Sequence, residues 1–247
     1  MNQTQSRIGN FTSSEIAALM SEPTASKKKE GEIFGAPAKT LIQECNYERM
    51  LGRSICEDTN SRPTSWGHLV ELKAFEVLGF DYKLASQETI VHPTIKCWAG
   101  SPDGIKIGEN GNTVFDIKSP YTLKSYCQMY DCKTIEELRE NHKDGEKYFY
   151  QLVSNAILTD CNKAELISFC PFKSELQSIR ELAGKLPEEQ QRHLYWIATS
   201  TDEDLPYIPD GNPNYDHIHK ISFEVTQEMK DHLIQRVIIA SGMLIKI

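Results

Sequence analysis

The sequence predicts a mixed α/β fold in which a central mixed β-sheet is flanked by helices. Apolar residues recur with helical spacing before residue 79 and again after residue 120, whereas residues 88–118 alternate as short strands do. The composition, 39% hydrophobic and 25% charged, is that of an ordinary globular chain. We expect a single domain over residues 1–247, with a core at about 7–170 that residues 190–247 complete.

The helical segments begin and end at recognisable signals. Thr12-Ser13-Ser14-Glu15 has the pattern of a capping box and leads into an apolar helical pattern up to Met20. Gly79 suits the end of a helix. Residues 21–37 and 52–63 are polar and predict loops. Further helices are predicted over residues 38–51, 65–78, 121–130, 134–142, 147–159, 173–182 and 227–245.

The strand cluster centres on a hairpin. Gly108-Glu109-Asn110-Gly111-Asn112 has tight-turn chemistry. It separates a strand over 97–107, which Pro102-Asp103-Gly104 interrupts, from a strand over 113–118. Other strands are predicted over residues 88–92, 164–169, 194–198 and 218–225. Residues 200–217 predict a polar, proline-rich loop to which the sequence assigns no role.

Charge and cysteine content set limits on function. The net charge of −8, taken as a bulk number, disfavours a nucleic-acid partner. Lys27-Lys28-Lys29 is the one basic run, and it fits either a solvated loop or a contact with an anionic polymer. No apolar run approaches the roughly 20 residues of a membrane span, and the start shows no secretory signal. Seven irregularly spaced cysteines without C-x-x-C predict reduced thiols. We therefore expect a cytoplasmic protein with no membrane partner.

The hairpin also carries the chemistry. Strand side chains alternate, so Asp116 and Lys118 share one face of their strand while Ile117 lies on the other. These two residues could form a structural ion pair, or a metal ligand beside a charge-stabilising lysine. If the strands pair, Asp103 approaches Asp116 across the hairpin. Two carboxylates that close repel each other unless a divalent cation lies between them.

Two polar residues on apolar helical segments extend this group. Glu71 lies on a stripe with Phe75 and Leu78, where a carboxylate is costly to bury unpaired, although alone it could reach solvent. Gln151 interrupts another apolar helix and alone means little. Together with the hairpin acids they form an oxygen-donor set that suits Mg²⁺ or Mn²⁺. Such metals, with a lysine to orient or deprotonate water, support phosphodiester hydrolysis.

A wider pattern resembles a known family. Pro102-Asp103 followed by Asp116-Ile117-Lys118 resembles the signature of the PD-(D/E)XK nucleases, and so implies their restriction-endonuclease-like core. The order of four blocks resembles the phage lambda exonuclease, or YqaJ-like, branch of that superfamily. The blocks are Arg7-x-Gly9-x-x-Thr12-x-Ser14-Glu15, Trp66-Gly67-x-x-x-Glu71, Ser101-Pro102-Asp103-Gly104 with Asp116-Ile117-Lys118-Ser119-Pro120, and Tyr148-x-x-Gln151.

The resemblance implies a role for each matching residue. The implied catalytic residues are Glu71, Asp103, Asp116, Lys118 and Gln151. The implied metal ligands are Asp103, Asp116, Glu71 and the carbonyl of Ile117. Lys118 would activate water, and Gln151 would support the lysine or the nucleophile. Arg7 and Ser14 would match the pocket that grips the 5′-phosphate of DNA, although Ser14 could equally be a helix-start residue that satisfies its own backbone.

The function that the resemblance implies is a Mg²⁺-dependent DNA exonuclease. It would digest linear double-stranded DNA from 5′ to 3′ with a two-metal type of mechanism, and leave 3′ single strands for a single-strand annealing recombinase. An endonuclease on the same fold and a non-catalytic DNA-binding subunit are the alternatives. Any DNA path on so acidic a protein would be a narrow basic lane.

Two features depart from the family pattern. Asp116 stands where this branch often has glutamate, and its shorter side chain could shift the metal. The family resemblance implies a ring-shaped homotrimer. In this sequence, however, only six residues precede Arg7, fewer than such enzymes usually carry, and residues 200–217 form a long polar segment. The trimer is therefore a weaker expectation than the nuclease core.

Overall fold

The computed structural model describes residues 7–24, 30–55, 61–84, 89–109, 111–185 and 188–246. The basic run at residues 27–29 lies outside these residues. The helices are α1 (Ala36–Leu51), α2 (Arg62–Val77), α3 (Leu123–Asp131), α4 (Ile135–Asn141), α5 (Gly145–Leu158), α6 (Leu176–Lys185), α7 (Glu188–Thr199) and α8 (Gln227–Ser241). Within the described part of the chain, no helix is long and apolar enough to cross a membrane.

The strands form two sheets. They are β1 (Phe11–Thr12), β2 (Tyr82–Leu84), β3 (Ile90–Val91), β4 (Trp98–Gly100), β5 (Gly104–Lys106), β6 (Thr113–Lys118), β7 (Lys163–Phe169) and β8 (Ile218–Glu224). The small sheet has the order β1-β4-β3 and the large one β2-β5-β6-β7-β8. In the large sheet β6 and β7 are parallel and the other neighbours are antiparallel. The predicted central mixed sheet flanked by helices is confirmed.

The strand predicted over residues 97–107 divides between the two sheets. Its first part is β4, in the small sheet, and its last part is β5, in the large one. Gly104 begins β5, where a Cβ atom would lie 2.2 Å from the carbonyl oxygen of Lys83 and 2.3 Å from the ring of Phe115. Glycine therefore allows β5 to lie tightly between β2 and β6. Asp103 is fixed at this crossing from one sheet to the other.

The large sheet has a hydrophobic cluster on each face. Val114 of β6 belongs to the cluster formed with α5 and α8, whereas Phe115 and Ile117 belong to the cluster formed with α2 and α6. The alternation read from the sequence is thus present, and it directs Asp116 toward α5. Helix α2 packs on the opposite side, against β6, β7, α6 and α7. The site lies where these two layers meet the end of β6.

Three predictions of local structure were wrong or incomplete. The strand predicted over residues 194–198 is part of helix α7, because Leu194 and Ile197 are buried three residues apart while Tyr195 is 67% exposed. Strands β1 and β2 were not predicted, because they are strands only through their pairing with β4 and β5. The segment 200–217 is less exposed than its polar composition indicates, because Leu205 and Ile208 are buried.

The predicted capping box is replaced by a shorter structure. Residues Ile16–Met20 form a 3-10 helix, whose N-cap is Glu15 with no side-chain cap. The hydroxyl of Thr12 donates a 2.7 Å hydrogen bond to the Glu15 carboxylate and so does not cap the backbone. The segment is held by the C-terminal helix instead. Arg236 of α8 donates hydrogen bonds to the carbonyls of Leu19 (2.8 Å), Ser21 (2.8 Å) and Ile33 (3.1 Å).

Candidate active site

The β5–β6 hairpin brings Asp103 and Asp116 to the same end of the sheet. Gly104 pairs with Phe115, so Asp103 stands beside the next position along β6. The backbone N–H of Ile117 donates a 2.6 Å hydrogen bond to Oδ2 of Asp103. This bond fixes the Asp103 carboxylate against β6. Asp116 is only 2% exposed, so a carboxylate is buried next to a second one.

Two further side chains hold Asp116. The amide Nε2 of Gln151, on α5, donates a 2.9 Å hydrogen bond to Oδ1 of Asp116. The ammonium of Lys118 forms an ion pair with Oδ2. Lys118 is 24% exposed, and its Nζ lies 5.5 Å from the centre of the Tyr148 ring. Each carboxylate oxygen of Asp116 therefore faces its own donor.

Glu71 completes the acidic cluster from α2. Burial, followed by the neighbouring charge of Asp116, raises the pKa of Glu71 to about 7. Burial and the charges of Asp116 and Glu71 raise the pKa of Asp103 to about 8. Burial first, and then repulsion between the carboxylates, makes Glu71 and Asp103 hold their protons more tightly than usual. Such a cluster has a high affinity for positive charge.

Lys118 supplies part of that charge. Burial lowers the pKa of its ammonium, but the carboxylates of Asp116 and Asp103 outweigh burial, so the pKa is raised above the ordinary lysine range. The side chain therefore stays protonated at neutral pH. In this metal-free arrangement it can donate hydrogen bonds and offset negative charge.

The donor set fits a hard divalent cation by its chemistry. The candidate ligands are all oxygens, and among the described residues the three acids of the cluster meet one ammonium, that of Lys118. Among the described residues, however, no three His, Cys, Asp or Glu side chains lie close enough together to hold a metal ion by themselves. A cation here would rely on fewer carboxylates, with backbone carbonyl and water oxygens completing its coordination.

The structure unites six of the predicted residues and leaves two apart. Glu71, Asp103, Asp116, Ile117, Lys118 and Gln151 meet at the end of β6. Arg7 is exposed in a turn closed by the Asn10 N–H and the Arg7 carbonyl (3.1 Å). Ser14 lines a surface groove beside α5 with Lys143 and Lys147. Within the described residues, no contact joins Arg7 or Ser14 to the acidic cluster, and their role as a phosphate pocket stays a prediction.

Tyr148 is a site residue to which the sequence assigned no role. It lies one helical turn before Gln151 on α5, so the two side chains share a face. Burial raises the pKa of Tyr148 to about 12, although the neighbouring Lys118 opposes the rise. Its spacing from Gln151 was the available signal. The ring forms one wall around the Lys118 ammonium and favours its charge.

Comparisons with known proteins agree with this arrangement at the level of fold. No protein-family model matches the chain, and no curated protein matches it significantly. A phage-related exonuclease from Haemophilus somnus 129PT is similar in structure, with a TM-score of 0.63 and 18% identity over 95% of this chain and 92% of that one. The chain has the exonuclease fold.

A second solved protein supports the same assignment. The alkaline exonuclease LHK-Exo from Laribacter hongkongensis has a TM-score of 0.59 and 16% identity, over 97% of this chain and 90% of that one. LHK-Exo has also been solved in complex with dAMP, and that structure matches equally well. The fold that the resemblance implied is thus confirmed along nearly the whole chain.

Proposed function

We propose that the chain is a divalent-metal-dependent deoxyribonuclease that digests linear double-stranded DNA from its 5′ ends. The observation that carries this proposal is the pairing of Asp103 and Asp116 across the hairpin, with Lys118 bound to Asp116. A cluster of repelling carboxylates beside a lysine is suited to a cation and an anionic substrate. The exonuclease fold makes DNA the first substrate to test.

Asp103, Asp116 and the carbonyl of Ile117 would hold Mg²⁺ or Mn²⁺, and Glu71 would help to hold a second metal or its waters. The bound metal would polarise the scissile phosphate and stabilise the leaving oxygen. Gln151 keeps the Asp116 carboxylate in one orientation through its amide, as outer residues around metal ligands do.

Lys118 acts through its charge. Its ammonium remains protonated between Asp116 and the Tyr148 ring, and it can donate a hydrogen bond to the attacking water or to a phosphate oxygen. That donation orients the nucleophile and offsets the negative charge that develops on the phosphate.

The finer parts of the proposal rest on the sequence blocks. Arg7 and Ser14 match the residues that grip a 5′-phosphate, which favours action from DNA ends and the 5′→3′ direction. Such an enzyme would leave 3′ single strands, the substrate of a single-strand annealing recombinase. A ring-shaped homotrimer would keep the duplex enclosed between successive cuts.

The decisive experiment compares DNA ends in one assay. Linear duplex DNA with a 5′-phosphate, linear DNA with a 5′-hydroxyl, and closed circular DNA are each incubated with the protein and Mg²⁺. We expect resection of the phosphorylated ends, slower resection of the hydroxyl ends, and intact circles. Asp116→Ala and Lys118→Ala should abolish resection, and chelation of the metal should do the same.

Other outcomes would redirect or refute the proposal. Nicking of closed circles would indicate an endonuclease. DNA binding without metal-dependent cleavage would indicate a non-catalytic binding subunit. Cleavage that survives both substitutions would show that the cluster at the end of β6 is not the active site.

A further inference from the structure

Gly67 lies in the middle of α2, and among the residues that the structure describes no contact requires a glycine there. A Cβ atom built at this position meets no heavy atom within 4 Å, and the backbone has ordinary helical geometry. The residue is partly exposed, so the space above it opens to solvent. Glycine is a weaker helix former than alanine. The glycine therefore weakens helix α2 without improving the packing among the described residues.

Other glycines in the fold have an internal explanation. At Gly145, the first residue of α5, a Cβ atom would lie 2.0 Å from the carbonyl oxygen of Leu138. Gly184 also has open space above it, but it is the next-to-last residue of α6, close to a helix end, where glycine is common. Among the described helical glycines, Gly67 alone is neither crowded by another part of the chain nor close to a helix end.

Gly67 lies on the side of α2 that carries the catalytic acid. It precedes Glu71 by four residues, so the two share a face and are about 6 Å apart along the helix axis. Glu71 is coupled electrostatically to Asp116 and Lys118. The open space above Gly67 therefore adjoins the acidic cluster on the side that faces solvent.

We propose that the sugar-phosphate backbone of the cleaved DNA strand passes directly over Gly67. This inference rests on the proposed nuclease function and adds a positioning residue to it. Glycine allows a phosphate-bearing chain to approach a helix backbone more closely than any side chain would. Successive phosphates of a strand are separated by at least the axial rise of about 3.4 Å, so a 6 Å offset places this contact within about two nucleotides of the scissile phosphate.

Substitution at Gly67 should separate stability from DNA binding. We expect Gly67→Ala to raise the melting temperature by roughly 2–4 °C, because alanine is the better helix former. It should at the same time raise KM for 5′-phosphorylated duplex DNA by about ten-fold, since a small displacement of substrate is costly. Gly67→Leu should raise KM further. Gly184→Ala is the matched control and should leave KM unchanged.

A binding measurement keeps this test independent of cleavage. Fluorescence anisotropy with a labelled 5′-phosphorylated duplex in EDTA should show weaker binding in the order wild type, Gly67→Ala, Gly67→Leu. If the series weakens binding while the wild type cannot cleave, the DNA contact at Gly67 stands and the nuclease proposal fails. If the wild type cleaves but Gly67→Ala binds DNA and turns over normally, the inference is overturned. A lower melting temperature for Gly67→Ala would also overturn it, because Gly67 would then serve internal packing.

Discussion

Two buried acids on neighbouring strands show how differently the same group can be used. Asp116 on β6 is 2% exposed, and Glu165 on β7 is 4% exposed. Glu165 accepts hydrogen bonds from the hydroxyls of Tyr82 (2.6 Å) and Ser222 (2.7 Å). Lys220 reaches this network only through the Tyr82 hydroxyl, at 3.0 Å. Neutral donors thus occupy both oxygens of Glu165.

Asp116 has the opposite surroundings. Only one of its partners, the amide of Gln151, is neutral, and the other is the Lys118 ammonium. Two further acids, Asp103 and Glu71, interact with it electrostatically. Burial alone therefore does not mark a functional carboxylate. The distinguishing property is an excess of acids over the donors that could satisfy them, which leaves the cluster ready for a cation.

The largest expected effect compares these two acids in one assay. Asp116→Asn should lower single-turnover cleavage of linear duplex DNA by roughly 10²–10³-fold or more, because a charged ligand at the reacting centre is lost. Glu165→Gln should change the rate by less than about three-fold, since its partners act on structure. The measurement is cleavage in Mg²⁺ at saturating enzyme. Equal losses of cleavage rate in the two variants would contradict the distinction between a functional Asp116 and a structural Glu165.

The stability of the fold, unlike the cleavage rate, should depend strongly on Glu165. Glu165→Ala should lower the free energy of unfolding by about 1–3 kcal/mol, because the buried Tyr82 hydroxyl is left without an acceptor. Urea denaturation measures the loss. The double variant with Tyr82→Phe supplies the control, since removing both partners should cost less than the sum of the single changes. Strict additivity would show that the bond between them contributes nothing.

A smaller effect should follow from Gln151→Leu. This change removes the 2.9 Å hydrogen bond to Asp116 while preserving the apolar contacts of α5. We expect the apparent affinity for Mg²⁺ to fall about 10- to 100-fold, as is typical when an outer partner of a metal ligand is lost. Cleavage rate against Mg²⁺ concentration gives the value. If the Mg²⁺ concentration that gives half the maximal rate is unchanged, Gln151 is not a partner of the metal ligand.

The smallest effect concerns pH in the absence of metal. The pKa of Asp103 is about 8 in the folded protein, against about 4 in an unfolded chain. The folded state therefore binds the proton more tightly, and stability falls as pH rises from about 4 through 8. Asp103→Asn cannot ionise, so its melting temperature should exceed that of the wild type by a few degrees at pH 8.5, and by less at pH 5. A constant difference across this range would contradict the raised pKa.

The sequence predicted which residues meet at the end of β6 better than it predicted some of the elements around them. Asp103 and Asp116 were placed together because a hairpin is a local structure, with a turn and a two-residue side-chain period that can be read directly. Gln151 is 35 residues from Asp116, and only the family resemblance associated the two. The depth at which each residue is buried depends on packing between layers, which the sequence pattern does not contain.

The errors have a common physical origin. Residues 194–198 contain large apolar side chains typical of strands, but the tertiary structure buries Leu194 and Ile197 and leaves Tyr195 outside, so the segment is helical. The short strands β1 and β2 exist because neighbouring strands pair with them, not because of their own sequence. In both cases long-range contacts decided a structure that local preference left open.

The Arg236 hydrogen bonds have a consequence for the order in which the protein is assembled. This residue, near the end of the chain, binds the carbonyls of Leu19 and Ser21, more than 200 positions earlier in the sequence. During synthesis the N-terminal segment cannot gain these bonds until α8 has been made. The hairpin is a local structure and can form before α8 exists, whereas the segment with Leu19 and Ser21 gains these bonds only afterwards. A chain interrupted before α8 would thus carry the acids of the site without its full framework.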